Sequence, residues 1–175
     1  MIERPSTTRV LAIDPTTKGF AYVIFEGPEF LLEWGLSQAR ADAKNAKCVR
    51  GIEKLLARYS PDVVILEDYE GAGSHRRPRV RALIRSIEGL ARRRGIRERS
   101  FSRRDIRRAF DILASPTKHS IATELAKRYP ELAPRLPSVR KCYESEDERT
   151  NLFDAASLAL TYFERHRRRS KLGSF

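Results

Sequence analysis

Apolar and polar positions follow two rhythms along the chain, one of strands and one of helices. Residues 10–13 (Val-Leu-Ala-Ile) and 20–25 form two apolar runs joined by a short turn that contains Gly19, the pattern of a β-hairpin. A third strand is expected over residues 29–36, after the Gly27-Pro28 turn. The period then changes. Over residues 42–59, Val49, Ile52, Leu55 and Leu56 share one helical face, and Ser60-Pro61 breaks the helix. Residues 63–66 are a continuous β-branched and apolar run, as expected of a strand buried on both faces. Helical spacing resumes through Val80, Leu83, Ile84, Ile87, Leu90 and Ala91 until Gly95 ends it. This apolar face is expected to be core, with a dimer contact at its edge.

A short fifth strand is expected over residues 96–101, followed by helices over 102–110 and 116–129. Ser115-Pro116 reads as the N-cap and first-turn pair of the second of these. Residues 130–145 read as irregular, residues 150–166 as a last helix, and the basic residues 167–175 as a frayed tail. Three antiparallel strands followed by helix crossovers predict an α/β fold, a mixed sheet with helices on its faces. A chain of 175 residues suits one domain, here 1–175 with a basic tail from about 167.

Composition narrows the class. A 41% apolar fraction excludes a disordered chain. The two cysteines, Cys48 and Cys142, form no Cys-x-x-Cys pair, which argues against a zinc site and a disulfide scaffold. With no apolar leader and no membrane-length run, a cytosolic, cytoplasmic protein is expected. His75, His119 and His166 suggest no triad, and no phosphate-loop motif or nucleotide cofactor is indicated.

Charge adds a partner. The net charge is +12 and the isoelectric point near 10.2, which points to a polyanion such as nucleic acid. Fourteen arginines and no lysine lie between residues 76 and 108, against only Glu88, Glu98 and Asp105. Arg76, Arg77 and Arg79 enter one helix, and Arg103, Arg104, Arg107 and Arg108 flank the next. The planar guanidinium fork suits phosphate. The competing reading is a solvated helix face.

Acids supply candidate chemistry. Two apolar strands each run into one carboxylate, Asp14 and Glu67. If these strands lie parallel and adjacent, the two acids meet at the ligand-binding end of the sheet, where a divalent cation with hard oxygen ligands, Mg²⁺ or Mn²⁺, offsets their repulsion. The last helix is nearly apolar around its circumference, except for a stripe of Asn151, Asp154, Ser157, Thr161 and Glu164. Asp154 is the third candidate ligand, with Glu146, Asp147 and Glu148 just ahead of that helix. Taken singly, Asp14-Pro15 also reads as a turn, Glu67-Asp68 as a solvated strand end, Asp154 as part of the exposed stripe of an amphipathic helix, and Asp147 and Asn151 as helix caps.

The segments VLAIDPTTKGFAYVI, VVILEDYEG and NLFDAASLAL, in this order and at these separations, resemble the RuvC-type Holliday junction resolvases of the ribonuclease H-like superfamily. SFSRRDIRRAF and SPTKHSIATELAKRYPEL resemble that family's DNA-contacting segments, so the likeness spans roughly residues 9–165. It implies a ribonuclease H-like, five-stranded sheet in the order 3-2-1-4-5. It also implies a Mg²⁺-dependent homodimer, with Mn²⁺ substituting, that resolves branched DNA by paired cuts. Asp14, Glu67 and Asp154 fall on family ligands, Lys118 on a DNA-contact position, and Tyr69 nearest to a loop aromatic. Two departures stand out. Thr16 replaces a glycine, and Asn151 replaces an acid or histidine, leaving Asp147 as a compensating ligand. Another ribonuclease H-like nuclease, acting on RNA or an RNA–DNA hybrid, stays open, as does a catalytically inactive binding protein of this fold.

Overall fold

The computed structural model describes residues 7–39, 43–69, 76–139 and 147–172. Asp42, His75, Cys142, Glu146, most of the loop expected at 71–78 and the last three residues of the expected tail therefore lie outside the described residues.

Strands β1 (Arg9–Pro15), β2 (Gly19–Glu26), β3 (Leu31–Gln38), β4 (Val63–Glu67) and β5 (Arg97–Phe101) make one sheet in the order β3-β2-β1-β4-β5. β1–β2 and β2–β3 pair antiparallel, whereas β1–β4 and β4–β5 pair parallel. This is the mixed sheet expected from the element order. Most expected strand bounds shift by one or two residues, two of them with a bearing on the site or the sheet edge. β1 continues through Asp14, which pairs with Ala21, instead of stopping at residue 13. β3 starts later than residue 29 because the reversal is wide, closed by the Glu26 N–H donating to the Phe30 carbonyl at 2.9 Å.

Each face of the sheet carries its own core. Period-two alternation sends Leu11, Ile13, Ile24, Val64 and Leu66 to one face, under helices α1 (Lys44–Tyr59) and α2 (Pro78–Arg93). The α2 residues Val80, Leu83, Ile84, Ile87, Leu90 and Ala91 are all buried there, so the apolar face of this helix is core. Val10, Ala12, Val23, Phe25, Val63 and Ile65 face the other way. They meet α3 (Arg103–Ala109), α4 (Lys118–Arg128) and the 23-residue α5 (Thr150–Leu172).

Local chemistry sets the helix ends. Ser60 closes α1 in the left-handed region (φ 44°), giving its N–H to the Leu56 carbonyl, and Pro61 prevents continuation. Gly95 (φ 67°) follows α2, as expected. Ser102 and Asp105 form a capping box on α3. The cap of α4 differs from the one expected: Thr117 and Ser120 cap each other's backbone N–H groups, so Ser115-Pro116 stays outside the helix. Residues 130–135, expected to be irregular, form a 3-10 turn.

α5 departs most from expectation at its two polar features. Residues 167–172 continue the helix instead of fraying, since Glu164 pairs with Arg167 and Arg168, and Arg168 reaches Asp111. Ser157 and Thr161 are buried, their hydroxyls donating to the carbonyls of Asp154 and Ser157 at 2.7 Å. With Ala155, Ala156 and Ala159 beside them, they let α5 lie close against β1, β2 and β4.

The β2–β3 register demands a glycine at residue 19, where a Cβ would sit 1.8 Å from the Ser37 carbonyl oxygen. Gly19→Ala is expected to cost at least about 2–3 kcal/mol in urea denaturation, the scale of forced overpacking. An unchanged midpoint would show that the sheet edge moves freely at this point.

Candidate active site

The site is assembled by strand register. β1 and β4 pair Val10 with Val63 and Ala12 with Ile65, so two residues further on Asp14 is level with Glu67. The same alternation that turns Val10, Ala12, Val63 and Ile65 toward α5 turns both acids that way. Asp14 is 1% exposed and Glu67 8% exposed. Asp154, in the second turn of α5, is close enough to raise the proton affinity of Asp14. The three candidate acids thus converge from β1, β4 and α5.

Each acid meets a basic side chain. Arg76, nine residues after Glu67, spans two of them. Its Nη2 donates to Asp14 Oδ1 at 2.6 Å and also to Glu67 Oε2. Its Nε donates to Glu67 Oε2 at 2.9 Å, and its Nη1 to the Pro15 carbonyl at 2.9 Å. Arg103 Nε lies 3.2 Å from Glu67 Oε1, and Lys118 Nζ donates to Asp154 Oδ2 at 2.9 Å.

One oxygen is left over. Asp14 Oδ2 is buried with no hydrogen-bond partner, an arrangement that costs free energy unless something else compensates it. Burial raises the Asp14 carboxyl from 3.8 to about 7; the Arg76 charge opposes the shift, while Asp154 and Glu67 add to it. For Arg76, burial works against the charge, but Asp14 and Glu67 outweigh it and hold the guanidinium above its ordinary value. Arg76 therefore does not fully offset the burial of Asp14. An orphaned carboxylate oxygen among hard oxygen donors fits a divalent cation such as Mg²⁺ or Mn²⁺. Among the described residues, no three His, Cys, Asp or Glu side chains are grouped tightly enough to hold a metal ion, so the acids are gathered but not closed on a common point.

The other expected residues are distributed around this centre. Asp147 is held by Arg149 through a bidentate pair, and the Arg149 hydrogen bonds keep its carboxyl below the usual range. Asn151 lines a cleft of about 450 Å³ with Thr16, Thr17, Lys18, Gln38, Arg76 and Arg77. Neither is joined to Asp14 by a described contact. Glu148 binds Lys18 and, at 2.6 Å, Gln38. Arg77, Arg104 and Arg107 are exposed. Arg79 points inward, to the Thr16 carbonyl at 2.8 Å, to that of Thr17, and to Asn45 Oδ1 at 2.7 Å. It braces the turn after Asp14. Tyr69 packs partly into the α1–α2 core, with Arg81 5.9 Å above its ring. A second, smaller cleft is lined by Arg103, Arg107, Lys118 and Asp154.

Sequence reasoning assigned Arg76, Arg103 and Lys118 to nucleic acid alone and missed their pairing with the acids. One signal was available for Arg76. Two acids predicted to be buried side by side need a cation, and Arg76 is the first arginine after Glu67.

No family model matches the chain, and no curated protein matches it by sequence. Three-dimensional comparison is informative. The structure of Thermus thermophilus RuvC superposes with a TM-score of 0.65 at 15% identity, covering 92% of this chain and 96% of that one. The same protein in complex with a Holliday junction substrate gives 0.63 at 15% identity over the same shares. The yeast mitochondrial Holliday junction resolvase Ydc2 gives 0.60 at 18% identity, covering 93% of this chain and 82% of that one. The chain therefore has the ribonuclease H-like fold of these resolvases, with the sheet order 3-2-1-4-5.

The raised Asp14 carboxyl has a direction in stability. The folded chain binds this proton more tightly than the unfolded chain, so the contribution is present below about pH 3.8 and is lost as pH rises through about 7. With chelator, Asp14→Asn is expected to raise stability at pH 8 by about 1–4 kcal/mol, a gain that shrinks toward pH 5. Thermal melts across that range check it. A variant less stable than wild type at pH 8 would mean that the Asp14–Arg76 pair outweighs the burial cost.

Proposed function

We propose that the protein is a metal-dependent, structure-selective DNA endonuclease that resolves four-way (Holliday) junctions by paired phosphodiester hydrolysis. The observation that carries this reading is the convergence of Asp14, Glu67 and Asp154 at the C-terminal end of the parallel β1–β4 pair, with one buried Asp14 oxygen unpartnered. The fold is shared with RuvC, whose structure is known in complex with a Holliday junction substrate, and with Ydc2, a mitochondrial Holliday junction resolvase. Branched DNA is the partner that this likeness favours.

Asp14, Glu67 and Asp154 would hold Mg²⁺, for which Mn²⁺ substitutes. Asn151 and Asp147 are the candidates for a further ligand. The bound cation supplies Lewis-acid activation of water for in-line attack and charge compensation at the departing 3′ oxygen. The chain's own residues do the rest. Asp14, fixed by the β1–β2 and β1–β4 ladders, sets the position of the site to within the tolerance of a sheet. α5 and the apolar residues under it keep water from the sheet side of the acids. Arg77, Arg103, Arg104 and Arg107 are presented on the surface near α2 and α3, where they would grip the phosphate backbone and give affinity without sequence readout. Lys118, at the rim of the smaller cleft, would meet a phosphate beside Asp154. A homodimer would present two such sites to a two-fold symmetric junction.

A labelled four-way junction, a linear duplex and an RNA–DNA hybrid, each with Mg²⁺ and with chelator, test the proposal. Paired symmetric nicks confined to the junction and to Mg²⁺ are expected. Asp14→Asn is expected to lower the cleavage rate by at least about 10³-fold while junction binding persists, the behaviour of a group needed in the transition state. Cleavage of the hybrid alone would replace this reading with that of a hybrid nuclease. Junction binding without cleavage by wild type under any divalent cation would identify a binding protein.

A further inference from the structure

Arg76 occupies the place where the proposed site would need a divalent cation. Its fork covers Asp14 Oδ1 and Glu67 Oε2 and is anchored on the Pro15 carbonyl, and its side chain is only 21% exposed. The two acids it holds are the two that the parallel ladder forces together. A cation bound to both would compete for the oxygens already taken by the guanidinium.

We infer that Arg76 is an intramolecular placeholder for the metal, and that it must leave Asp14 and Glu67 before the site can load. The inference rests on the metal-dependent reading above. The exit is built in. Arg76 stands just ahead of α2 and lines the 450 Å³ cleft with Arg77, Lys18 and Glu148, so the evicted guanidinium has that cleft to swing into. A phosphodiester lying there gives it a new anionic partner of the geometry it prefers. Metal and DNA thus each favour the same displaced position of Arg76, and by linkage each strengthens the binding of the other.

The test reads metal binding directly, apart from activity. Free Mn²⁺ is titrated by electron paramagnetic resonance against DNA-free wild type, Arg76→Gln and Arg76→Lys. Arg76→Gln is expected to bind Mn²⁺ at least about tenfold more tightly than wild type. Arg76→Lys keeps the charge but not the fork and is expected to fall between them, which keeps the inference testable should the glutamine variant not fold. Equal or weaker Mn²⁺ affinity in the variants would overturn the placeholder and leave the metal site standing. No Mn²⁺ binding by any of the three would remove the metal reading itself, and the inference with it. A second readout is junction affinity in Ca²⁺ against chelator. Wild type is expected to gain several-fold more than Arg76→Gln; equal gains would overturn the coupling.

Discussion

Two carboxylates buried side by side on parallel strands are the constraint around which this end of the molecule is arranged. Like charges at this separation, away from water, cannot both stay ionised without a nearby cation. Asp14 shows the strain in its raised proton affinity and its unpartnered Oδ2. Arg76 supplies one charge from the β4–α2 connection, Arg103 a second from α3, and Lys118 balances Asp154 from α4. The β4–α2 connection, α3 and α4 thus each bring one basic residue to the three acids. On the proposed reading the arrangement sacrifices stability for chemistry, as sites that must receive charge commonly do.

Topology explains why the acids meet here. The β1–β2–β3 meander fixes β1 on one side, while the α1 crossover returns the chain so that β4 lies parallel on the other. Both strands then end at the same edge of the sheet, where α/β proteins place their ligands. α5 brings the third acid because its alanines and internally bonded hydroxyls allow close approach to the sheet.

Strands and core could be read from the chain because burial imposes a period. The runs at residues 10–13 and 63–66 and the α2 stripe carry that period plainly, and the structure buries them all. Asp14, Glu67 and Asp154 could be nominated because an acid at the end of an apolar run breaks the pattern. Of their cationic partners only Arg76 left a signal, its place as the first arginine after Glu67; Arg103 and Lys118 could not be identified, since their approach to Glu67 and Asp154 is a tertiary fact. The α4 cap escaped for a local reason: Ser115-Pro116 and Thr117 are adjacent capping signals, and only Thr117 has Ser120 three residues on. The basic end of α5 read as frayed because one of its stabilising partners, Asp111, lies far away in sequence. The pairing of Asp147, a candidate ligand, with Arg149 becomes visible only in the structure.

On the proposed reading, the carboxylate pair is a cation site that Arg76 fills in the metal's stead. Anomalous diffraction at the manganese edge, from crystals soaked in Mn²⁺, tests this most directly. The expected result is an anomalous peak within coordination distance of Asp14 Oδ2, with the Arg76 guanidinium turned away from Asp14 and Glu67. Manganese bound elsewhere on the protein, with Arg76 still bridging the two acids, would contradict it.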